Sequence, residues 1–325
     1  MKVKIRILSP VHIGDGLNLS PSEYFISTGQ LNRLDMDGLV ADPEFLPHLD
    51  RFVSQAKTNR YIGDYIQPSI LSRHILYSIP IAGEAATSNP TNLKTFIKTA
   101  GRVYLPGSSL KGALLSALIY ALMSGKKPDA IPWRDNKEMM KQVIGSATTN
   151  SSQTDNFARW LDVTDSDYRP PADALEVSLV QVTRIIPSDD MQGRKKNLPL
   201  LCETLREDTE FGLEIKNSNR AEPKGWGKFT PAEILKFSDT YYRKIWEEEN
   251  EDSPQLNRDG HLCRLGQGSG VLSTSLLTLA RELGYKGYQV ERRKPPRPIT
   301  IENGPLTQKL VDEEVPLGWV EIIPV

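Results

Sequence analysis

The chain opens on a two-residue rhythm. Val3, Ile5 and Ile7 alternate with Lys4 and Arg6, the period of a strand with one buried face. Pro10 and the run Gly14-Asp15-Gly16 then predict a turn. Further strands are expected over residues 23–27 and 31–36, giving a small antiparallel start. From 42 to 100 the pattern changes to short helical pieces broken by turns. One piece runs from Asp42-Pro43 toward Lys57, and an amphipathic helical stretch occupies 92–99. This region, about 41–100, reads as an insertion placed over the first sheet.

The strongest helical signal lies at 104–125. Ser108 or Ser109 is placed to cap it, and Leu110, Ala113/Leu114, Ala117/Leu118 and Ala121/Leu122 repeat at helical spacing up to Gly125. Residues 129–156 are polar and read as loop with a helical piece near 137–143. Strands are predicted over 157–163 and 176–186, with a polar, basic tip at 188–197 and returning strands at 198–205 and 210–215. A long helix starts at Thr230-Pro231, with Glu233 in its first turn, and runs to Glu249. A short strand at 262–265 leads into Gly266-Gln267-Gly268-Ser269-Gly270 and a second helix over 273–283, closed by Gly284; the chain ends on a strand over 318–325.

One device thus occurs twice: strand, glycine-rich turn, amphipathic helix. With antiparallel strands between the copies, the pattern suggests an α+β chain of two ferredoxin-like (RRM-like) units, divided as 1–175 and 176–325. Periodicity alone does not choose that fold over another α+β arrangement.

A length of 325 residues suits two such units, and 38% hydrophobic with 25% charged residues suits a soluble domain with a real core. The start lacks the apolar segment of a signal peptide, and no apolar run reaches the ~18–20 residues that span a bilayer; the cytoplasm is the expected location. Two distant cysteines, Cys202 and Cys263, without Cys or His companions, point away from a disulfide scaffold or zinc site. The net charge of −1, from 40 basic and 41 acidic residues, counts against a free-standing nucleic-acid binder but not against a subunit that grips RNA on one face. Basic residues gather at Arg194-Lys195-Lys196 and Arg292-Arg293-Lys294, acidic ones at 247–252. Each run read alone is a solvated face.

Both glycine turns set backbone N–H groups at a helix start, where unpaired donors and the helix dipole favour an anion. Glycine allows close approach of a phosphate backbone, and Lys111 would add a charge. The competing reading is a tight turn where helix packs on sheet. Nucleotide-binding fingerprints do not fit. A P-loop requires Lys-Ser/Thr directly after its second glycine, whereas Lys111 precedes Gly112 and Ala113 follows it. A dinucleotide motif built on Gly266 and Gly268 would need a small residue at 271, which is Val271.

The run Ser9-Pro10-Val11-His12-Ile13-Gly14-Asp15-Gly16 resembles the opening of RAMP proteins. Leu105-Pro106-Gly107-Ser108-Ser109-Leu110-Lys111-Gly112 is similar to their strand-to-helix motif. Gly266-Gln267-Gly268-Ser269-Gly270 is similar to their C-terminal glycine loop, and residues 176–215 resemble the strand pair that brackets a β-hairpin thumb. The landmarks occur in family order over most of the chain. Among RAMP proteins, the spacing resembles the subunit at the tail end of the type III-A CRISPR (Csm) assembly. That resemblance implies binding of the 3′ portion of the CRISPR RNA, capping and maturation of the guide, and antiviral defence. It also implies contacts with a backbone RAMP subunit and a small helical subunit; a further reading is a structural cap with little RNA contact of its own that recruits a separate host nuclease.

Carried over on these motifs, the RNA-contacting candidates are His12, Ser108, Ser109, Lys111, Gly266, Gln267, Gly268, Ser269 and Gly270, with Arg184, Arg194, Lys195 and Lys196 on the thumb. RAMP proteins that cut target RNA carry an aspartate shortly before the strand-to-helix motif. Residues 96–103 hold no carboxylate here, so no catalytic residue, metal or cofactor is expected. Asp162, Asp165 and Asp167 have spacing open to a metal or to a plain acidic turn. A metal-independent endoribonuclease is the alternative. It would need a histidine, and only His12 lies in a motif; His48 and His74 fall in the insertion and His261 precedes the glycine loop.

Overall fold

The computed structural model describes residues 1–89, 91–133, 157–184, 199–217, 229–249, 260–290, 299–302 and 307–325. Its strands, in chain order, begin with β1 (Lys2–Ile7), β2 (Gly14–Leu19), β3 (Tyr24–Ser27), β4 (Gln30–Leu34), β5 (Ile75–Pro80) and β6 (Leu93–Phe96). They continue with β7 (Lys98–Thr99), β8 (Arg102–Val103), β9 (Leu161–Val163), β10 (Leu175–Arg184), β11 (Leu200–Leu205) and β12 (Glu210–Asn217). The last are β13 (His261–Arg264), β14 (Gln289–Val290), β15 (Ile299–Thr300), β16 (Thr307–Val311), β17 (Val315–Pro316) and β18 (Trp319–Pro324).

Two sheets carry the fold, which is α+β with antiparallel pairing throughout the first sheet and nearly throughout the second. A five-stranded sheet has the order β13-β18-β1-β12-β9, and a six-stranded sheet the order β17-β16-β10-β11-β6-β2. Only the β11–β6 pair among these is parallel. In β1 the alternation does what its pattern predicts: Val3, Ile5 and Ile7 are buried, and Ile5 pairs with Phe211 on one side and Ile322 on the other. The expected partition at 175/176 is not how the sheets divide. The first strand lies between β12 and β18, and β2 and β6 join β10 and β11, so both sheets draw on both halves of the chain. Long-range pairing chooses partners by complementary apolar faces, and those are not ordered along the sequence.

The main core lies between these sheets and two long helices, Gly107–Ser124 and Pro231–Glu249. The first has 18 residues and is long and apolar enough by composition to cross a membrane. Here it is a core helix: Leu110, Leu114, Ala117, Leu118, Tyr120 and Met123 are buried. Each large apolar side chain so enclosed contributes about 1.5–3 kcal/mol. The second starts with a reciprocal cap, Thr230 N donating to Glu233 Oε2 (2.7 Å) and Glu233 N to Thr230 Oγ1 (3.3 Å).

The insertion is smaller and differently built than its helical pattern suggests. Helices Met36–Ala41, Leu49–Ala56 and Pro68–Leu71 pack over the sheet β3-β4-β5, around Phe25, Leu34, Leu39, Phe45 and Ile62. The stretch 92–99, expected to be helical, forms β6 and β7. Thr95, Phe96, Ile97 and Thr99 are β-branched or aromatic, and two sheet neighbours satisfy the β6 backbone. Gly14-Asp15-Gly16 is the start of β2, not a turn, with an irregular register between Gly14 and Asn18. Residues 157–160 form a helical turn, and only Leu161–Val163 is strand.

The helix expected over 273–283 is two short ones, Gly270–Thr274 and Leu277–Glu282. Ser275 is extended between them, and its Oγ donates to Val271 O (2.6 Å). Tyr241 and Tyr288 hydroxyls take the freed backbone groups of Ser275 and Leu276.

Candidate nucleic-acid interface

Residues 9–13 leave β1 in one sheet and enter β2 in the other, and four successive carbonyls on the way, Pro10 to Ile13, accept hydrogen bonds from elsewhere in the chain. Ser9 Oγ accepts from Trp319 N (3.0 Å), Pro10 O from Gly318 N (3.0 Å), and Val11 O from Leu205 N (2.8 Å). His12 O accepts from Gln267 N (2.7 Å), and Ile13 O from Ile97 N (2.8 Å). The opening motif is therefore the joint between the sheets.

His12 itself is 2% exposed, with Nδ1 2.8 Å from Glu203 O. A carbonyl only accepts, so Nδ1 carries the proton. Burial holds the imidazole below its ordinary pKa. The side chain sits beneath the surface, and its carbonyl is what serves the glycine loop.

At the strand-to-helix motif, neither Ser108 nor Ser109 caps the helix. Pro106 is the N-cap, and Gly107 N donates to Asp165 Oδ1 at 2.8 Å. Ser109 N turns back to Pro106 O (3.0 Å). The donor predicted to face an external anion is filled by the protein's own carboxylate. Gly107 is required by close packing: a Cβ there would lie 2.3 Å from Val163 O. Ser108 is exposed, Ser109 and Lys111 half-buried.

The second loop is anchored from below. Arg264, 1% exposed, sends Nε to Leu317 O (3.0 Å), Nη2 to Gly268 O (3.2 Å) and Nη1 to Glu249 Oε2 (2.5 Å). Its guanidinium lies 4.8 Å from the Trp319 ring centre. Gly266, Gly268 and Gly270 all have positive φ, and a Cβ on Gly266 would lie 2.4 Å from His12 O. Ser269 is buried, its hydroxyl donating to Gly266 O (2.6 Å). Gln267 and Gly270 face outward. The helix that follows has five residues, too short for the expected dipole effect, so the loop offers a glycine edge more than a helix start.

The remaining candidates divide as follows. Arg184 ends β10 opposite Thr307. Arg194, Lys195 and Lys196, with the thumb tip, lie outside the described residues. Of the acidic trio, two are spent locally, Asp165 on Gly107 N and Asp167 Oδ1 on Gly212 N (2.8 Å), while Asp162 stands opposite Lys216 in the β9–β12 register. Among the described residues no cluster of three metal-ligating side chains occurs. His74 Nε2 lies 2.6 Å from Asp42 Oδ2 in the insertion, far in sequence from the three motifs. Cys202 and Cys263 are free and buried, on β11 and β13.

Sequence reading missed two features. Glu203, fully buried, accepts from Tyr77 OH, from Phe96 N (2.7 Å) and from Lys98 Nζ (2.5 Å). So a carboxylate does reach the stretch before the strand-to-helix motif, supplied by β11 and consumed in internal bonds. Its signal was legible: Leu201, Glu203 and Leu205 share one face of β11, so the carboxylate had to point into the core. The second feature is a pair of half-buried lysines on the six-stranded sheet, Lys94 on β6 and Lys309 on β16.

Comparison with known proteins agrees with this architecture. The family model described as RAMP superfamily matches residues 4–269. A protein of Methanocaldococcus jannaschii named CRISPR system Cms protein Csm5 is 27% identical over 230 residues, 66% of this chain and 52% of that protein. The match thus spans about half the length of that relative. A Streptococcus thermophilus protein of the same name is 25% identical over 314 residues, 90% of this chain and 84% of its own. In fold, the chain resembles one in the cryo-EM structure of a Csm-crRNA-target RNA ternary complex of a type III-A CRISPR-Cas system (TM-score 0.73, 22% identity, 99% and 100% of the two chains covered). It also resembles the crystal structure of T. onnurineus Csm5 (TM-score 0.69, 23% identity, 98% and 99% covered). With its sheets joined at the opening motif, its glycine loop seated on that joint, and a family match over most of its length, the chain belongs to the RAMP superfamily.

Proposed function

We propose that this chain is a Csm5-type subunit of a type III-A CRISPR effector complex, a non-catalytic RNA-binding module of the cytoplasm that covers the 3′ portion of the guide RNA. It supports guide maturation and sits beside a backbone RAMP subunit and a small helical subunit; trimming is left to a recruited nuclease. The names of its curated relatives support the assembly, and one observation carries the RNA reading. The glycine loop is held rigidly on His12 and Arg264 while Gln267 and Gly270 face outward, an edge that a sugar–phosphate backbone can approach without meeting side chains.

The endoribonuclease alternative loses its candidate, because His12 is buried and bound through Nδ1 to a backbone carbonyl. The test is co-expression of the locus with and without this chain, followed by sizing of the RNA in the purified complex. Longer or ragged 3′ ends without the chain are expected. Identical guides in an intact complex would overturn the role. Loss of all processing in His12→Ala, with assembly intact, would restore the enzyme reading.

A further inference from the structure

The strand pair just before the strand-to-helix motif carries a stripe of side chains that the rest of the chain leaves accessible. Val103 and Arg169 exchange backbone hydrogen bonds in both directions (2.9 Å each). The next residues, Tyr104 and Tyr168, therefore stand opposite each other as a non-hydrogen-bonded pair, the closer of the two antiparallel spacings. Their ring centres are 5.6 Å apart at an interplanar angle of 51°. Val103 and Leu105 are buried, which sends Tyr104 and, two residues earlier, Arg102 to the other face. Thr99 lies opposite Arg102 across the β7–β8 hairpin, and Ala100 and Gly101, both at positive φ, close that hairpin in a two-residue turn.

Among the side chains described, Tyr168 is the one large aromatic left exposed, at 47%, with Tyr104 half-buried beside it. Arg102 is exposed and has no ion pair or hydrogen bond with a described residue. Cross-strand tyrosines stabilise a sheet by themselves, but that role requires neither an open ring face nor an unpaired guanidinium nearby. An open ring next to an unpaired cation matches a nucleotide, whose base offers a π-face and whose phosphate offers the charge. A ladder of backbone bonds also joins the pair to the glycine loop: Gln267 N to His12 O, Ile97 N to Ile13 O, Lys98 opposite Val103, and Val103 to Arg169. Four strand spacings of about 4.8 Å place the two within roughly 20 Å, the reach of a few nucleotides.

We propose that Tyr104 and Tyr168 form a stacking platform for a base of single-stranded RNA, with Arg102 on the neighbouring phosphate. This rests on the RNA-binding reading and adds a base contact to it. A stable protein contact needs on the order of 800 Å² from each partner, far more than this narrow stripe offers, whereas one ring covers one base.

The test uses the full chain at low salt with two probes, a short oligouridylate and an abasic oligonucleotide of the same length. The wild type should prefer the oligouridylate. Tyr168→Ala should weaken oligouridylate binding about 5- to 150-fold without changing the slope of log K against log salt. Its binding of the abasic probe should stay at the wild-type level, which also checks that the variant is folded. Tyr168→Phe, which keeps the ring, should bind like the wild type. Arg102→Gln should weaken both probes and flatten the slope by about 0.7, the share of one single-strand phosphate contact. Equal oligouridylate affinity in the wild type and Tyr168→Ala would overturn the platform while leaving RNA binding intact. If that variant also falls out of the complex co-purified from the locus, the stripe belongs to a protein partner. A wild type that binds neither probe would overturn the RNA-binding reading and the platform with it.

Discussion

The two glycine motifs look alike in sequence and differ in what surrounds them. Gly107 is buried, its N–H spent on Asp165 and its missing side chain replaced by the backbone of Val163 and Thr164. The glycines of the second loop take left-handed backbone, lean on His12 and Leu317, and leave Gln267 and Gly270 at the surface. The first motif is a packing device; the second leaves part of its glycine edge at the surface. The difference teaches that a glycine-rich turn before a helix fixes close approach, while the rest of the chain decides whether the approaching partner is the protein itself.

The largest expected effect breaks the second motif's support. Arg264→Met leaves Glu249 buried without its partner and should destabilise the protein by about 3–5 kcal/mol in denaturant unfolding. Adding Glu249→Leu should recover part of that loss. Next come the glycines. Gly107→Ala forces a Cβ against the backbone and should cost about 1–3 kcal/mol, whereas Gly112→Ala, one turn on with nothing within 4 Å, should stabilise by up to about 1 kcal/mol. Equal effects at the two positions would remove the packing account of Gly107.

Smaller still is the cap. Asp165→Ala should cost about 1 kcal/mol and make thermal stability respond to added phosphate, because it frees the helix start. A phosphate response already present in the wild type at that helix would undo the contrast between the two motifs.

The smallest effect is a pH dependence. Burial lowers the pKa of His12 and of His261, so the unfolded chain binds these protons first as pH falls. Stability should be full above about pH 7 and decline below about 6.5, the unfolded value. His12→Asn, which keeps a donor for Glu203 O, should flatten that decline. A second loss at acidic pH follows from Asp42, held low by His74, and from Glu210, held low by Lys4 and Arg6. These carboxylates contribute above their unfolded pKa, and the contribution disappears as pH falls through their depressed folded values.

Local signals in the sequence were reliable where one element could satisfy its own needs. Alternation in Val3, Ile5 and Ile7, the helical repeat that begins at Leu110, and the helix start at Thr230-Pro231 with Glu233 in its first turn each express a rule confined to a few residues, and each element stands in the structure. Residues 92–99 went the other way because two sheet neighbours, β11 and β2, supply hydrogen bonds that no local reading contains. The α+β class and the order of the motifs were thus written in the chain by itself. Tertiary structure alone decided that β1 lies between β12 and β18 and that Asp165 fills the first helix start. Those outcomes depend on residues brought together from distant positions, where burial and charge, and not spacing, select the partner.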